Sequence, residues 1–186
     1  QPNRGEPAYV DTLIDLGWSF IAVGGFDRAG TLLADALRLA GSLKDRMPND
    51  YNRLSARSYY SLGVLAWSQG DYVLAQQLVE QGLKHYDAAR EEHNAGEASH
   101  FLATLWWRRG DMDKARECHL RYLTARRRAG DAYFVLHSLH GLGVIAQDED
   151  EWGKAHDYFD EALNLAERIG DIRAMADLSS NLGATC

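Results

Sequence analysis

The sequence has 186 residues, of which 46% are hydrophobic, and it carries a formal net charge of −7. This composition suffices for a buried core, which excludes a disordered tail, and the acidic balance argues against direct nucleic-acid contact. No apolar run approaches the roughly 18 residues of a membrane-spanning helix, and two cysteines cannot form a disulfide framework, so we expect a cytoplasmic protein without membrane contact. Because the sequence lacks an initiating Met, we expect it to be part of a longer chain.

A pair of Leu with Gly or Ala recurs along the chain. Its spacing is 40 residues for Leu62-Gly63, Leu102-Ala103, Leu142-Gly143 and Leu182-Gly183. The same spacing separates Ala75, Ala115 and Ala155. Leu16-Gly17 precedes Leu62-Gly63 by 46 residues, and Ala29 precedes Ala75 by the same number. A fixed period of this length predicts an array of helical repeats.

Each repeat is predicted to be two amphipathic helices joined by a short polar turn. In chain order the repeats cover residues 10–43, 56–94, 96–130 and 132–170, with a closing or truncated helix at 172–186. Residues 44–55, around Pro48, predict a longer connection.

Gly-Asp dipeptides lie where these helices are expected to end, at Gly70-Asp71, Gly110-Asp111, Gly130-Asp131 and Gly170-Asp171. Glycine adopts the left-handed conformation that ends a helix, and aspartate caps the next one. The tripeptide Arg109-Gly110-Asp111 is therefore predicted to be a turn between helices rather than an adhesion motif.

These marks resemble the tetratricopeptide repeat (TPR), whose pattern is W-x2-L-G-x2-Y followed by A-x3-F. The fourth repeat has Leu139-x2-Leu142-Gly143-x2-Ala146 and then Ala155-x3-Phe159. The third repeat departs from the pattern, with Ala103 for the glycine and His119 for the second-helix aromatic, and the family's usual period is about 34. The resemblance implies an all-α fold, a right-handed superhelical solenoid of helix-turn-helix (TPR-like) repeats.

The resemblance also implies a noncatalytic protein- or peptide-binding module, as in the lengthened repeats of bacterial regulators and scaffold proteins. In this family the first helix of each pair lines a concave groove. By register, the groove residues would be Trp18, Arg57, Tyr60, Trp67, His100, Thr104, Trp107, Arg108, His137, His140 and Gln147, accompanied by Asp11, Ile14, Val64, Glu97 and Val144. Trp106 projects about 100° away from Trp107 and is expected in the core.

Other kinds of site find little support. Adjacent first helices are expected about 10 Å apart, which would keep His100, His137 and His140 from converging on a metal. Cys118 and His119 are sequence neighbours and do not form a catalytic pair. The basic run at residues 126–128 is interpreted as a solvated helix end. We therefore expect no enzyme activity, cofactor or metal.

Two further functional classes stay open. A small-molecule effector-sensing domain would enclose a pocket with the Trp and His side chains. A self-assembling structural adaptor would form a homo-oligomer through the C-terminal end, because an unfinished solenoid exposes its last apolar face.

Overall fold

The computed structural model describes residues 6–185, apart from the side chains of residues 122 and 125. Over this range the chain is all-α and forms nine helices in succession. They are α1 (Pro7–Ala22), α2 (Phe26–Gly41), α3 (Pro48–Ser68), α4 (Tyr72–Ala89), α5 (Glu92–Arg108), α6 (Met112–Ala129), α7 (Ala132–Asp148), α8 (Trp152–Ile169) and α9 (Ile172–Ala184). Consecutive helices pair as predicted, so the helix-turn-helix repeat is confirmed.

The Gly-Asp dipeptides form the helix junctions. Positive φ angles of 83°, 78°, 71° and 73° occur at Gly70, Gly110, Gly130 and Gly170. The following aspartate caps the next helix at Asp71, Asp111 and Asp171, where its side chain accepts a hydrogen bond from a backbone N–H. Arg109-Gly110-Asp111 is thus the turn between α5 and α6, as the sequence predicted.

Small residues permit close helix crossings inside each repeat. A Cβ atom at Gly17 would lie 2.7 Å from Leu33, and one at Gly63 would lie 2.6 Å from Val79. At Gly143 it would overlap the ring of Phe159. In these three repeats the second helix therefore packs a buried apolar side chain against the glycine of the first helix.

The chain divides into two compact units, an amino-terminal unit that ends at Ala98 and a carboxy-terminal unit that begins at Ser99. The core of the amino-terminal unit centres on the fully buried Ile14, Leu33 and Leu54. The core of the carboxy-terminal unit centres on Leu139 and Phe159. Each unit thus has a hydrophobic core of its own.

Two expectations were wrong. Most of residues 44–55 is helical, because Pro48 occupies the first turn of α3, where its missing N–H costs nothing. Arg126 is not solvated: its side chain is only 6% exposed and pairs with Asp131. Its guanidinium also lies 4.3 Å from the centre of the Phe134 ring, so α6 is joined to α7 by a buried cation.

Helices long and apolar enough to cross a membrane are absent from the described residues.

Candidate functional site

Helices α5, α6 and α7 enclose a hollow of about 280 Å³ in the carboxy-terminal unit. We call it the histidine hollow because four imidazole side chains line it. Its lining consists of His100, Ala103, Thr104 and Trp107 from α5, His119 from α6, and His137, His140, Gly141, Val144 and Ile145 from α7.

His119 occupies the floor of this hollow. It stands at the position where the repeat pattern has a core aromatic residue, and its side chain is correspondingly buried, with 6% of its surface exposed. A Cβ at Gly141 would overlap the imidazole ring, so the absence of a side chain there creates the space that His119 fills.

The imidazole rings converge around His100. Its ring centre lies 5.4 Å from that of His119 and 5.8 Å from that of His137. Three buried ring nitrogens have no hydrogen-bond partner among the described residues: His100 Nδ1, His119 Nδ1 and His137 Nε2. Since buried polar atoms are normally paired, this cluster has unused hydrogen-bonding capacity.

Burial keeps these histidines uncharged near neutral pH. Desolvation lowers the pKa of His100 to about 4 and that of His119 to about 3, and neighbouring imidazoles contribute to both shifts. Desolvation also lowers the pKa of His137 and of His140, although Asp171 and Asp177 respectively oppose it. A neutral imidazole has one N–H donor and one acceptor nitrogen.

A second hollow, of about 310 Å³, lies on the other side of α7, against α9. We call it the aspartate hollow, because Asp171 and Asp177 line it together with Arg173 and Tyr133. His137 and His140 line both hollows. The His140 ring is oriented by Asn181, whose Nδ2 lies 3.0 Å from its Nε2.

Trp107 stands at the edge of the histidine hollow with 37% of its surface exposed. Its indole Nε1 donates to Asp148 Oδ2 at 2.6 Å, which fixes the ring between α5 and α7. Thr104 donates to the His100 carbonyl at 3.3 Å and lines the hollow. The predicted residues Arg108 and Gln147 lie on these same two helices but do not line either hollow.

In the amino-terminal unit, the predicted site residues lie on α1 and α3. Arg57 donates to Asp11 and, at 2.7 Å, to Asp15, so its guanidinium is held within the unit. Arg53 makes a bidentate pair with Asp11 at 3.0 and 2.9 Å.

The aromatic predicted residues of this unit each contact another ring. The Trp18 and Tyr60 rings are 6.1 Å apart, while Trp67 packs edge-on against Tyr72 at 4.9 Å. Burial and the nearby Glu97 raise the pKa of Tyr60 to about 12. Tyr60 therefore remains a neutral phenol at physiological pH.

Three expectations about side chains need correction. Ile14 was expected in the groove but is fully buried, since α1 packs against both α2 and α3. Trp106 was expected in the core but is only partly buried, with Lys114 Nζ 4.0 Å from its ring centre. The histidines of adjacent first helices do approach one another, because the ring centres of His100 on α5 and His137 on α7 are 5.8 Å apart.

This convergence does not have the arrangement of a metal site. Within residues 6–185, no group of three or more His, Cys, Asp or Glu side chains could hold a metal ion.

Comparisons with known proteins agree with this architecture. Residues 94–168 match the family model of the tetratricopeptide repeat. No curated protein sequence matches the chain significantly. Among solved structures, BtubC (BKLC) from P. vanneervenii has a TM-score of 0.83 at 20% identity, over 96% of this chain and 72% of that chain.

Two further solved structures are similar. A crystal structure of the nearly identical TPR-like repeats of a Podosopora anserina protein described as a kinesin light chain has a TM-score of 0.74 at 15% identity, over 96% of this chain and 85% of that chain. MamA has a TM-score of 0.60 at 19% identity, over 89% of this chain and 83% of that chain. At sequence identities of 15–20%, these structural similarities establish the fold of this chain.

Proposed function

We propose that this chain, which has a TPR-like repeat fold and matches the tetratricopeptide-repeat model over residues 94–168, binds an extended peptide segment of a protein partner along its first helices. The module is noncatalytic in this proposal. It would serve in the cytoplasm as the sensor or scaffold part of a larger bacterial regulatory protein.

The pair of hollows on either side of α7 is the observation that carries this proposal. They measure about 280 and 310 Å³, at the lower limit for small-molecule sites, and each suits a single side chain better than a whole cofactor. Because His137 and His140 line both, the hollows adjoin, as sites for successive side chains of one extended segment should. Two adjoining hollows, each of a size for one side chain, favour a peptide over the alternative of a small-molecule effector.

Trp107 is the proposed anchor of the interface. Rigid aromatic side chains contribute much of the binding energy at peptide interfaces, because they bury a large area at a low cost in entropy. Trp107 is exposed, and its hydrogen bond to Asp148 holds it beside the histidine hollow before any ligand arrives.

The amino-terminal unit would contribute aromatic area. Trp18 and Tyr60 offer an aromatic surface, whereas Arg53 and Arg57 are already paired with Asp11. In this proposal Arg57 orders the surface, since its donors are already used by Asp11 and Asp15.

Selection of a random peptide library on the immobilised chain tests this function. The dissociation constants of selected peptides are then compared for the parent, Trp107→Ala and Thr104→Arg, whose longer side chain fills the histidine hollow. We expect both variants to weaken binding by about tenfold or more, corresponding to about 1.4 kcal/mol or more.

Trp152→Ala is the matched control, because Trp152 is an exposed tryptophan at the start of the second helix α8. The selected peptides should bind this variant with unchanged affinity. Loss of binding in Trp152→Ala, with Trp107→Ala unaffected, would place the site on the second helices and refute the groove. Failure to select any peptide, together with concentration-dependent oligomers in sedimentation, would favour the self-assembling adaptor.

A further inference from the structure

The histidine hollow is built to form hydrogen bonds that the protein itself does not make. His119 has only 6% of its surface exposed, yet its Nδ1 has no partner among the described residues, and the same holds for His100 Nδ1 and His137 Nε2. An unpaired buried polar atom costs free energy, which an incoming ligand group recovers when it supplies the missing partner. Three such atoms on side chains that line one hollow indicate a polar ligand.

The charge of the lining restricts this ligand further. Asp, Glu, Lys and Arg are absent from the side chains that line the histidine hollow within the described part of the chain. A charged group that entered would lose its hydration without gaining a counter-ion, and that loss is expensive in a buried site. The histidines do not supply the missing charge, because burial holds the pKa of His100 at about 4 and that of His119 at about 3.

We propose that the histidine hollow recognises the carboxamide of a glutamine or asparagine side chain in the bound peptide. This inference rests on the function proposed above. A carboxamide has two N–H donors and an oxygen that accepts two hydrogen bonds, so it satisfies three imidazole nitrogens in any tautomer set that mixes protonated and unprotonated nitrogens. The methylene stem of the side chain lies against Thr104, Trp107 and Val144.

Other side chains satisfy the hollow less well. A carboxylate has acceptors only, so it leaves unpaired every ring nitrogen that carries no proton. A hydroxyl has one donor, so it cannot pair with two unprotonated ring nitrogens at once. An aliphatic side chain of the same size leaves all three nitrogens unpaired, and sites built for hydrogen bonding reject such analogues most strongly.

Nuclear magnetic resonance of the histidine rings measures this preference directly. The full chain, labelled with ¹⁵N in its histidines, is titrated with N-acetyl-L-glutamine N-methylamide and, separately, with the corresponding glutamate and norleucine derivatives. We expect saturable shifts of the His100, His119 and His137 ring signals with the glutamine probe. The other two probes should bind at least about tenfold more weakly.

His119→Phe removes one of the three nitrogens while it restores the aromatic residue that the repeat pattern has at this position. It should weaken binding of the glutamine probe by about three- to tenfold, the effect of one hydrogen bond. His156→Phe is the control, because His156 is exposed on α8 and lines neither hollow. It should leave the affinity unchanged.

Equal binding of the glutamine and norleucine probes would overturn the proposal, and this comparison requires no variant to fold. Failure of this inference is distinguishable from failure of the proposed function. Library peptides that bind through Trp107 without any preference for glutamine or asparagine would contradict only carboxamide recognition. Specific shifts with the glutamine probe, in a chain that selects no peptide, would contradict only the peptide groove.

Discussion

Acid should destabilise the carboxy-terminal unit through its buried histidines. In the unfolded chain these imidazoles take up protons at their ordinary pKa of 6.5, whereas in the folded chain the pKa of His100 is about 4 and that of His119 about 3. Between those values the unfolded state binds more protons than the folded state, so the free energy of unfolding falls as the pH falls. The stability present at pH 7 is therefore lost progressively below pH 6.5.

The pKa differences give the size of this effect. From pH 7 to pH 5, a histidine that stays neutral in the folded state but titrates at 6.5 in the unfolded state lowers the free energy of unfolding by about 2 kcal/mol. His100 and His119 together should lower it by about 4 kcal/mol. His137 and His140 add to this in the same direction, since burial lowers the pKa of each.

Urea unfolding at pH 7 and pH 5, followed by circular dichroism, measures the loss. Carboxylates also titrate in this range, so the informative quantity is the difference between variants. His119→Phe should lose about 2 kcal/mol less than the parent between the two pH values, because it has one titrating histidine fewer. An identical loss in the parent and in His119→Phe would refute the assignment of a buried neutral imidazole to His119.

Three substitutions test the packing and capping of the repeats by the same urea measurement. Gly143→Ala should lower the free energy of unfolding by about 1–3 kcal/mol, because its Cβ would overlap the Phe159 ring, and an unchanged midpoint would contradict that crossing. Asp71→Ala should cost about 1 kcal/mol through loss of the cap on α4, whereas Asp71→Asn keeps an accepting oxygen and should cost much less. Arg126→Ala should cost about 3–5 kcal/mol, since it leaves Asp131 without its buried partner, and a cost below 1 kcal/mol would argue for a solvated arginine.

The local features of the fold were predictable from the sequence. The 40-residue period and the Gly-Asp junctions depend on backbone conformation and on residues close in the chain, so they appear directly in the sequence pattern. Pro48 was misinterpreted as part of a connection because proline both interrupts helices and begins them, and only the following helical turn decides between the two.

The candidate site was predictable only in part. Repeat register placed His100, Thr104 and Trp107 on the groove side, and all three line the histidine hollow. The part played by His119 was missed because its position in the repeat belongs to the core, although an imidazole at an apolar position was the available indication.

The ion pairs and the environments of partly buried rings could not be predicted from the sequence. The ion pairs that Arg57 makes with Asp11 and Asp15 depend on the packing of α1 against α3. Trp106 was likewise misplaced, because the side chains of Arg109 in the turn and Lys114 on α6 lie over its ring. Such contacts depend on tertiary geometry that periodicity does not contain.

His137 and His140 belong to both hollows, and this has a consequence for how partners would be discriminated. If a side chain binds in the histidine hollow as proposed, it would fix the rotamer and tautomer of rings that also line the aspartate hollow. The preference at one position of a bound segment would then depend on the residue at the next, and substitutions in neighbouring positions would combine non-additively. Such a surface would discriminate between pairs of neighbouring residues in the bound segment rather than between single residues.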